Sequence, residues 1–70
     1  MYIKIENHDD NTTRVIDYPG TVLQFVNIHF TSFGFYRALF VRRDCFQVYD
    51  KFANKHVYTI TKAKKEDMKK

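Results

Sequence analysis

Hydrophobic and polar residues alternate at the start of the chain, in the stretch YIKIE at residues 2–6. The alternation puts Ile3 and Ile5 on one side and the residues between them on the other, which predicts a half-buried β-strand. The run NHDDNTT that follows is rich in turn-forming residues, and RVIDY at residues 14–18 returns to β-type residues. We therefore expect an opening antiparallel hairpin.

A second tight turn is predicted at Pro19 and Gly20, because proline fixes φ and glycine accepts a positive φ at the next position. The stretch TVLQF at residues 21–25 then predicts a third strand. Residues 27–33 predict at most one short helix, with Asn27 as its N-cap and Gly34 as its left-handed stop, although their β-branched and aromatic content argues against a helix.

The second half of the chain contains three further β-type segments. FYRALFVRR at residues 35–43 is apolar on both of its alternating faces, which predicts a central strand covered on both sides. FQVYD and HVYTIT, separated by KFANK, predict a last hairpin. After Thr61 the chain continues as KAKKEDMKK, whose density of charge predicts a loosely attached basic tail.

These segments together predict an α+β fold that is mainly antiparallel β. We expect one small, curled sheet of five to six strands, at most one short helix and the basic C-terminal tail. A chain of 70 residues has room for one domain. The predicted boundaries are residues 1–61 for the β-rich domain and residues 62–70 for the tail.

Aromatic residues supply much of the apolar content, since the chain has seven Phe, five Tyr and no Trp within a hydrophobic share of 44%. A core of this size needs bulky side chains to bury enough area. We therefore expect Phe30, Phe33, Phe35 and Phe40 in the interior. Tyr36, Tyr49 and Tyr58 are the better candidates for a surface, because a tyrosine ring can be half-buried with its hydroxyl in water.

The charge of the chain is unevenly distributed along the sequence. Residues 1–35 hold two basic and four acidic residues, whereas residues 36–70 hold ten basic and four acidic residues. A basic half indicates either an anionic partner or a solvated face with a lysine tail. The arginines that lie closest to the aromatic residues are Arg37, Arg42 and Arg43.

Catalytic and metal-binding patterns are not found in the sequence. Cys45 with His29 or His56 is the one conceivable pair of nucleophile and base, and it has no characteristic spacing. The chain also contains no C-x-x-C pair and no glycine loop for phosphate. We therefore expect neither an enzyme nor a cofactor.

The single cysteine excludes an internal disulfide, and the start MYIKIENHDD has no pattern of a secretory signal. No apolar run approaches the length that spans a membrane. A cytoplasmic location is the prediction from these features.

Two functions remain open after these exclusions. The first is a small non-enzymatic protein-interaction module, such as an accessory or inhibitory protein of a mobile genetic element, which acts by occupying a partner's surface. The alternative is a module that binds RNA or DNA through the basic, aromatic second half. In either case the candidate partner-binding residues are Tyr36, Arg37, Arg42, Arg43, Tyr49 and Tyr58. A homodimer is a third expectation, since an exposed strand edge or aromatic patch can bind its own copy.

Overall fold

The computed structural model describes residues 1–66, which form five β-strands, one α-helix and one short 3₁₀ turn. The strands are β1 (Tyr2–Asn7), β2 (Thr12–Asp17), β3 (Tyr36–Arg42), β4 (Cys45–Asp50) and β5 (Lys55–Ala63). The helix α1 (Val22–His29) and the 3₁₀ turn (Thr31–Phe33) connect β2 to β3. The prediction of a mainly antiparallel β fold with one short helix is therefore confirmed.

The five strands form one antiparallel sheet in the order β2-β1-β5-β4-β3. Strands β2 and β3 are its two edges, so the chain between them has to cross the whole sheet. Helix α1 makes this crossing on one face, where its apolar side chains join the core. We call this side of the sheet the helix face and the opposite side the open face.

The hairpins at both ends of the sequence are confirmed, because β1 pairs with β2 and β4 pairs with β5. The three hairpin turns each contain an Asn or Asp in the left-handed region, namely Asn11, Asp44 and Asn54, with φ of 57°, 58° and 50°. Asn and Asp accept this conformation because their short polar side chains hydrogen-bond locally. The turn residues in the sequence thus mark the places where the strands reverse.

The predicted strand at residues 21–25 is wrong, because this segment forms the first part of α1. Thr21 is the N-cap: its hydroxyl accepts a hydrogen bond from the Gln24 amide at 3.1 Å, and Gln24 Oε1 accepts one from the Thr21 amide at 2.9 Å. This reciprocal capping box satisfies N–H groups that a helix end leaves without a partner. The helix therefore begins at Val22, well before the predicted residues 27–33.

Helix α1 is held on the sheet by apolar residues at helical spacing. Val22, Phe25 and Val26 are buried and fall at positions i, i+3 and i+4, which places them on one side of the helix. Complete burial of one such side chain contributes about 1.5–3 kcal/mol. This burial and the cap outweigh the β propensity of the segment. The strand residues of the core are Ile3, Phe46, Val48 and Ile60.

Most of the phenylalanines lie outside this core. Phe30 is buried with 8% of its surface exposed, but Phe33, Phe35 and Phe40 expose 61%, 57% and 68%. The expectation that all four fill the interior is therefore wrong for the last three. Isoleucine and valine fill the centre of the sheet instead, with Ile3 and Ile60 completely buried.

Strand β3 is also placed differently from the prediction. Within residues 1–66 it lies at the edge of the sheet and pairs with β4 alone, whereas two apolar faces predicted a central strand. At the other end of the sequence, β5 continues to Ala63, beyond the predicted domain boundary at residue 61. Residues 67–70 of the predicted tail lie outside the described residues.

Candidate functional site

Four flat side chains form a row across the open face, near the end of the sheet where the β1–β2 and β4–β5 turns lie. Arg37 of β3 opposes Tyr49 of β4, and Tyr49 opposes His56 of β5. Directly opposed residues in a sheet point to the same face, and Tyr49 follows Val48 of the core, so this face is the open one. His8, directly after β1, completes the row. We call Arg37, Tyr49, His56 and His8 the ring row.

The members of the ring row are in contact with one another. The Arg37 guanidinium carbon lies 5.8 Å from the centroid of the Tyr49 ring. Tyr49 and His56 are stacked, with their centroids 5.1 Å apart and their planes at 28°. His56 and His8 follow at 4.6 Å and 49°. Contacts of this kind contribute roughly 0.5–1.5 kcal/mol each, so the rings are ordered by one another.

A β-bulge in β5 brings His56 into the row. The regular register, in which Val48 opposes Tyr58, would continue with Val57 opposite Tyr49. The register shifts between Val48 and Tyr49, and His56 takes that place instead. A bulge inserts one extra residue and so changes the face to which the next side chain points. Without the bulge, the imidazole of His56 would point toward the helix face.

The two histidines are linked through the Thr59 hydroxyl. His8 Nε2 lies 2.7 Å and His56 Nε2 lies 3.2 Å from Thr59 Oγ1, and His56 Nε2 lies 2.9 Å from the backbone oxygen of Tyr58. Because a carbonyl oxygen can only accept, His56 Nε2 carries the hydrogen and donates it. The Thr59 hydroxyl can then donate its own hydrogen to Nε2 of His8. Hydrogen bonding therefore fixes the orientation of both imidazoles.

Two exposed phenylalanines extend the surface beyond the ring row. Phe35 directly precedes β3 and lies two residues before Arg37, so both side chains are on the same side of the strand. The Phe35 ring centroid lies 6.1 Å from that of Phe52. Phe52 exposes 81% of its surface. The turn that carries it is ordered by Asp50, whose carboxylate accepts hydrogen bonds from the amides of Phe52 and Ala53 at 2.8 and 3.1 Å. Phe52 is thus exposed on an ordered turn.

Charges around the ring row balance one another. Lys55 forms an ion pair with Asp9 at 2.6 Å, and this hydrogen bond and the negative charge raise the pKa of Lys55. The cations Arg37, Lys51 and Lys55 lie near the same end of the sheet as the carboxylates of Asp9, Asp10 and Asp50.

The opposite end of the sheet is basic. Arg42 and Arg43 lie at the β3–β4 turn, where the Lys62 amide donates a hydrogen bond to the Asp44 carbonyl oxygen at 3.0 Å. This contact brings the end of β5, with its lysines, beside the arginines. A bulge at Val41 makes Arg42 oppose Cys45 rather than continue the regular register.

The six predicted site residues are divided among three places. Arg37 and Tyr49 lie together in the ring row, whereas Arg42 and Arg43 are exposed at the basic end. Tyr36 and Tyr58 are half-buried on the helix face, where their ring centroids lie 5.6 and 4.8 Å from that of Phe30. Burial, followed by the charge of Tyr36, raises the pKa of Tyr58.

Sequence reasoning missed the contribution of His8, His56 and Phe52 to this surface. His56 and Phe52 flank the predicted turn KFANK, so their place at one end of the sheet follows from the hairpin. No sequence signal predicts the bulge that turns His56 to the open face.

Within residues 1–66, no group of three or more His, Cys, Asp or Glu side chains lies close enough together to hold a metal ion. The thiol of Cys45 is buried. None of the helices in the described part of the chain has the length and apolar character needed to cross a membrane.

Comparison with models of protein families, with curated proteins and with solved structures gives no match to this chain.

Proposed function

We propose that this chain is a small non-enzymatic protein-interaction module, and that the ring row with Phe35 and Phe52 contacts a partner protein. The observation that carries the proposal is the continuous contact from Arg37 through Tyr49 and His56 to His8. Tyrosine, phenylalanine and arginine are enriched at the centres of protein interfaces. Side chains that are already ordered lose little entropy on binding, which favours affinity.

The distribution of charge supports a protein partner over a nucleic acid. Binding to a phosphate backbone depends on cations placed beside the stacking rings. Near the ring row, Asp9, Asp10 and Asp50 oppose the nearby cations. The adjacent arginines Arg42 and Arg43 lie at the other end of the sheet, in the same turn as Asp44 and beside the lysines at the end of β5.

An accessory or inhibitory protein of a mobile genetic element fits this mode of action. Such a protein works by occupying a surface that its target needs, and occupation requires contact area rather than catalytic groups. The exposed Phe52 and Phe35 provide apolar area, and Arg37 provides hydrogen-bond donors at the same place.

Site-specific photocrosslinking in cells of the source organism tests the proposal. A benzophenone amino acid is placed at Phe52 in one variant and at Leu23 in a second, because Leu23 is exposed on the outer side of α1. We expect a discrete protein adduct from position 52 and none from position 23. The adduct should resist nuclease treatment and should be lost when Tyr49→Ala or Arg37→Ala is added to the Phe52 variant.

Three results would contradict the proposal: equal labelling from both positions, an adduct that survives Tyr49→Ala, or an adduct that nuclease removes. The last result would favour the second candidate function, binding of RNA or DNA. The basic end with Arg42 and Arg43 is the observation that supports this alternative. Its own test is a salt titration of oligonucleotide binding, in which affinity should fall steeply as salt rises.

A further inference from the structure

The two edges of the sheet differ in how they are protected against pairing with another strand. The edge formed by β2 carries the exposed Arg14 and Asp17, which are separated by two half-buried residues, Val15 and Ile16. Charges of this kind discourage edge-to-edge association. The edge formed by β3 exposes Leu39, Phe40 and Val41 by 43%, 68% and 46%. This edge also carries the exposed Arg37 and Arg42, but the four consecutive uncharged residues between them, Ala38 to Val41, leave an apolar stretch that is open to pairing.

The hydrogen-bonding groups at the β3 edge follow from its register with β4. The Lys51 amide donates to the Phe35 carbonyl oxygen at 3.0 Å, and the two residues continue the register in which Tyr36 opposes Asp50. Hydrogen-bonded pairs alternate along an antiparallel ladder, so Arg37 and Leu39 are the next residues to bond β4. The N–H and C=O groups that point outward belong to Tyr36, Ala38 and Phe40.

We propose that a second copy of this chain occupies the β3 edge, with the two β3 strands antiparallel about a two-fold axis that passes between the Ala38 residues of the two copies. The bulge at Val41 ends the regular ladder at Phe40, and Ala38 is the central residue of the segment from Tyr36 to Phe40. A two-fold axis at Ala38 makes the outward groups of each strand oppose those of the other. Each opposed pair forms two N–H···O bonds, and the two sheets become one.

The side chains brought together by this register are compatible. On the helix face, Tyr36 of each copy opposes Phe40 of the other, which makes two aromatic pairs across the axis. On the open face, Arg37 opposes Leu39, and Phe35 opposes the bulge residue Val41. Aromatic and β-branched cross-strand pairs are stabilising, and like charges directly opposed are destabilising. No two arginines oppose each other in this register.

The charge of the chain predicts how the dimer depends on salt. Each copy has a net charge of +4, so the copies repel each other at a distance. Added salt screens this repulsion. The dimer should therefore tighten as salt rises, which is opposite to the behaviour of a complex with nucleic acid.

Substitution of Leu39 tests the surface and the register together. We compare the parent chain with Leu39→Glu, Leu39→Gln and Leu39→Arg by sedimentation equilibrium, at concentrations from about 1 μM to 1 mM. The carboxylate introduced by Leu39→Glu faces Arg37 of the other copy, while the guanidinium of Leu39→Arg meets a like charge there. We expect the glutamate variant to dimerise at least about tenfold more tightly than the arginine variant, with the glutamine variant between them. Leu23→Glu and Leu23→Arg change the net charge equally on the exposed side of α1, and these two controls should differ much less from each other.

Ala38→Pro gives a second, independent variant. Proline removes the outward N–H at the axis, and the hydrogen bonds of β3 to β4 stay intact, which is the position in which edge strands accept proline. We expect loss of the dimer with a folded monomer by circular dichroism. A parent chain that stays monomeric up to about 1 mM would overturn the inference. So would equal weakening by Leu39→Glu and Leu39→Arg, since that outcome requires another register or another surface.

Discussion

Phe30 and Phe52 provide a direct test of which phenylalanines hold the fold together. Both are replaced by alanine, so that the chemical change is the same. Phe30 exposes 8% of its surface and Phe52 exposes 81%. The Phe30 ring lies within 4.8 to 6.0 Å of the rings of Phe25, Tyr36 and Tyr58, measured between centroids. We expect a large loss of stability for Phe30→Ala and almost none for Phe52→Ala.

The size of the difference follows from the exposed fractions. A phenylalanine side chain buries roughly 200 Å² when it is fully covered, so the two sites differ by about 150 Å² of buried surface. At about 25 cal/mol per Å², this area corresponds to about 3.7 kcal/mol. Truncation of a buried phenylalanine also leaves a cavity, and such variants lose about 3–5 kcal/mol. A surface substitution such as Phe52→Ala should change stability by less than about 0.5 kcal/mol.

The assay is urea unfolding followed by far-ultraviolet circular dichroism, at a concentration low enough to keep the chain monomeric. A domain of this size has a total stability of only about 4–10 kcal/mol, so Phe30→Ala leaves little or no folded population. Phe30→Leu keeps most of the volume and should cost less than about 1.5 kcal/mol, which gives a measurable transition. Equal losses for Phe52→Leu and Phe30→Leu would refute the assignment of the two rings to surface and core.

Three further predictions concern the cap, the basic end and Tyr58. Thr21→Ala removes one half of the capping box and should lower the free energy of unfolding by about 1 kcal/mol, measured in urea against Thr21→Ser as the control. Replacement of Arg42 and Arg43 by alanine should change that free energy by less than about 1 kcal/mol, because both side chains are exposed; a far larger loss would mean a structural role. Burial raises the pKa of Tyr58 above its ordinary value, so its contribution to stability is complete below about pH 10 and is lost as pH rises through the raised pKa. Unfolding curves at rising alkaline pH should show this loss, and Tyr58→Phe should reduce it.

The hairpins could be predicted from the sequence because strand alternation and turn chemistry agree in them. Ile3 and Ile5 alternate with polar residues, and Asn11 and Asn54 lie where the chain reverses. Helix α1 was missed because its β-branched and aromatic residues have a strand-like composition. The signals that outweigh this composition were nevertheless present in the sequence: the capping-box pair Thr21 and Gln24, and apolar residues at helical spacing.

The exposure of the phenylalanines could not be predicted from composition. An apolar strand segment has the same sequence pattern whether it lies in the middle of a sheet or at its edge, and only the strand order places β3 at the edge. The ring row depends in the same way on register. One extra residue in β5 brings His56 beside Tyr49, and the sequence around Val57 does not indicate it.

The edge position of β3 links the proposed dimer to the proposed partner site. A two-fold axis between the two Ala38 residues, perpendicular to the sheet, leaves the open faces of both copies on the same side. The two ring rows then extend in opposite directions from the paired β3 strands. Because Arg37 of one copy opposes Leu39 of the other, the two rows are offset by two residues, or roughly 7 Å along the strands. A partner that contacts both rows at once gains avidity without any new contact within either row. In the proposed assembly the β3 edge would determine how many ring rows a partner meets, and each row would determine what the partner must contain.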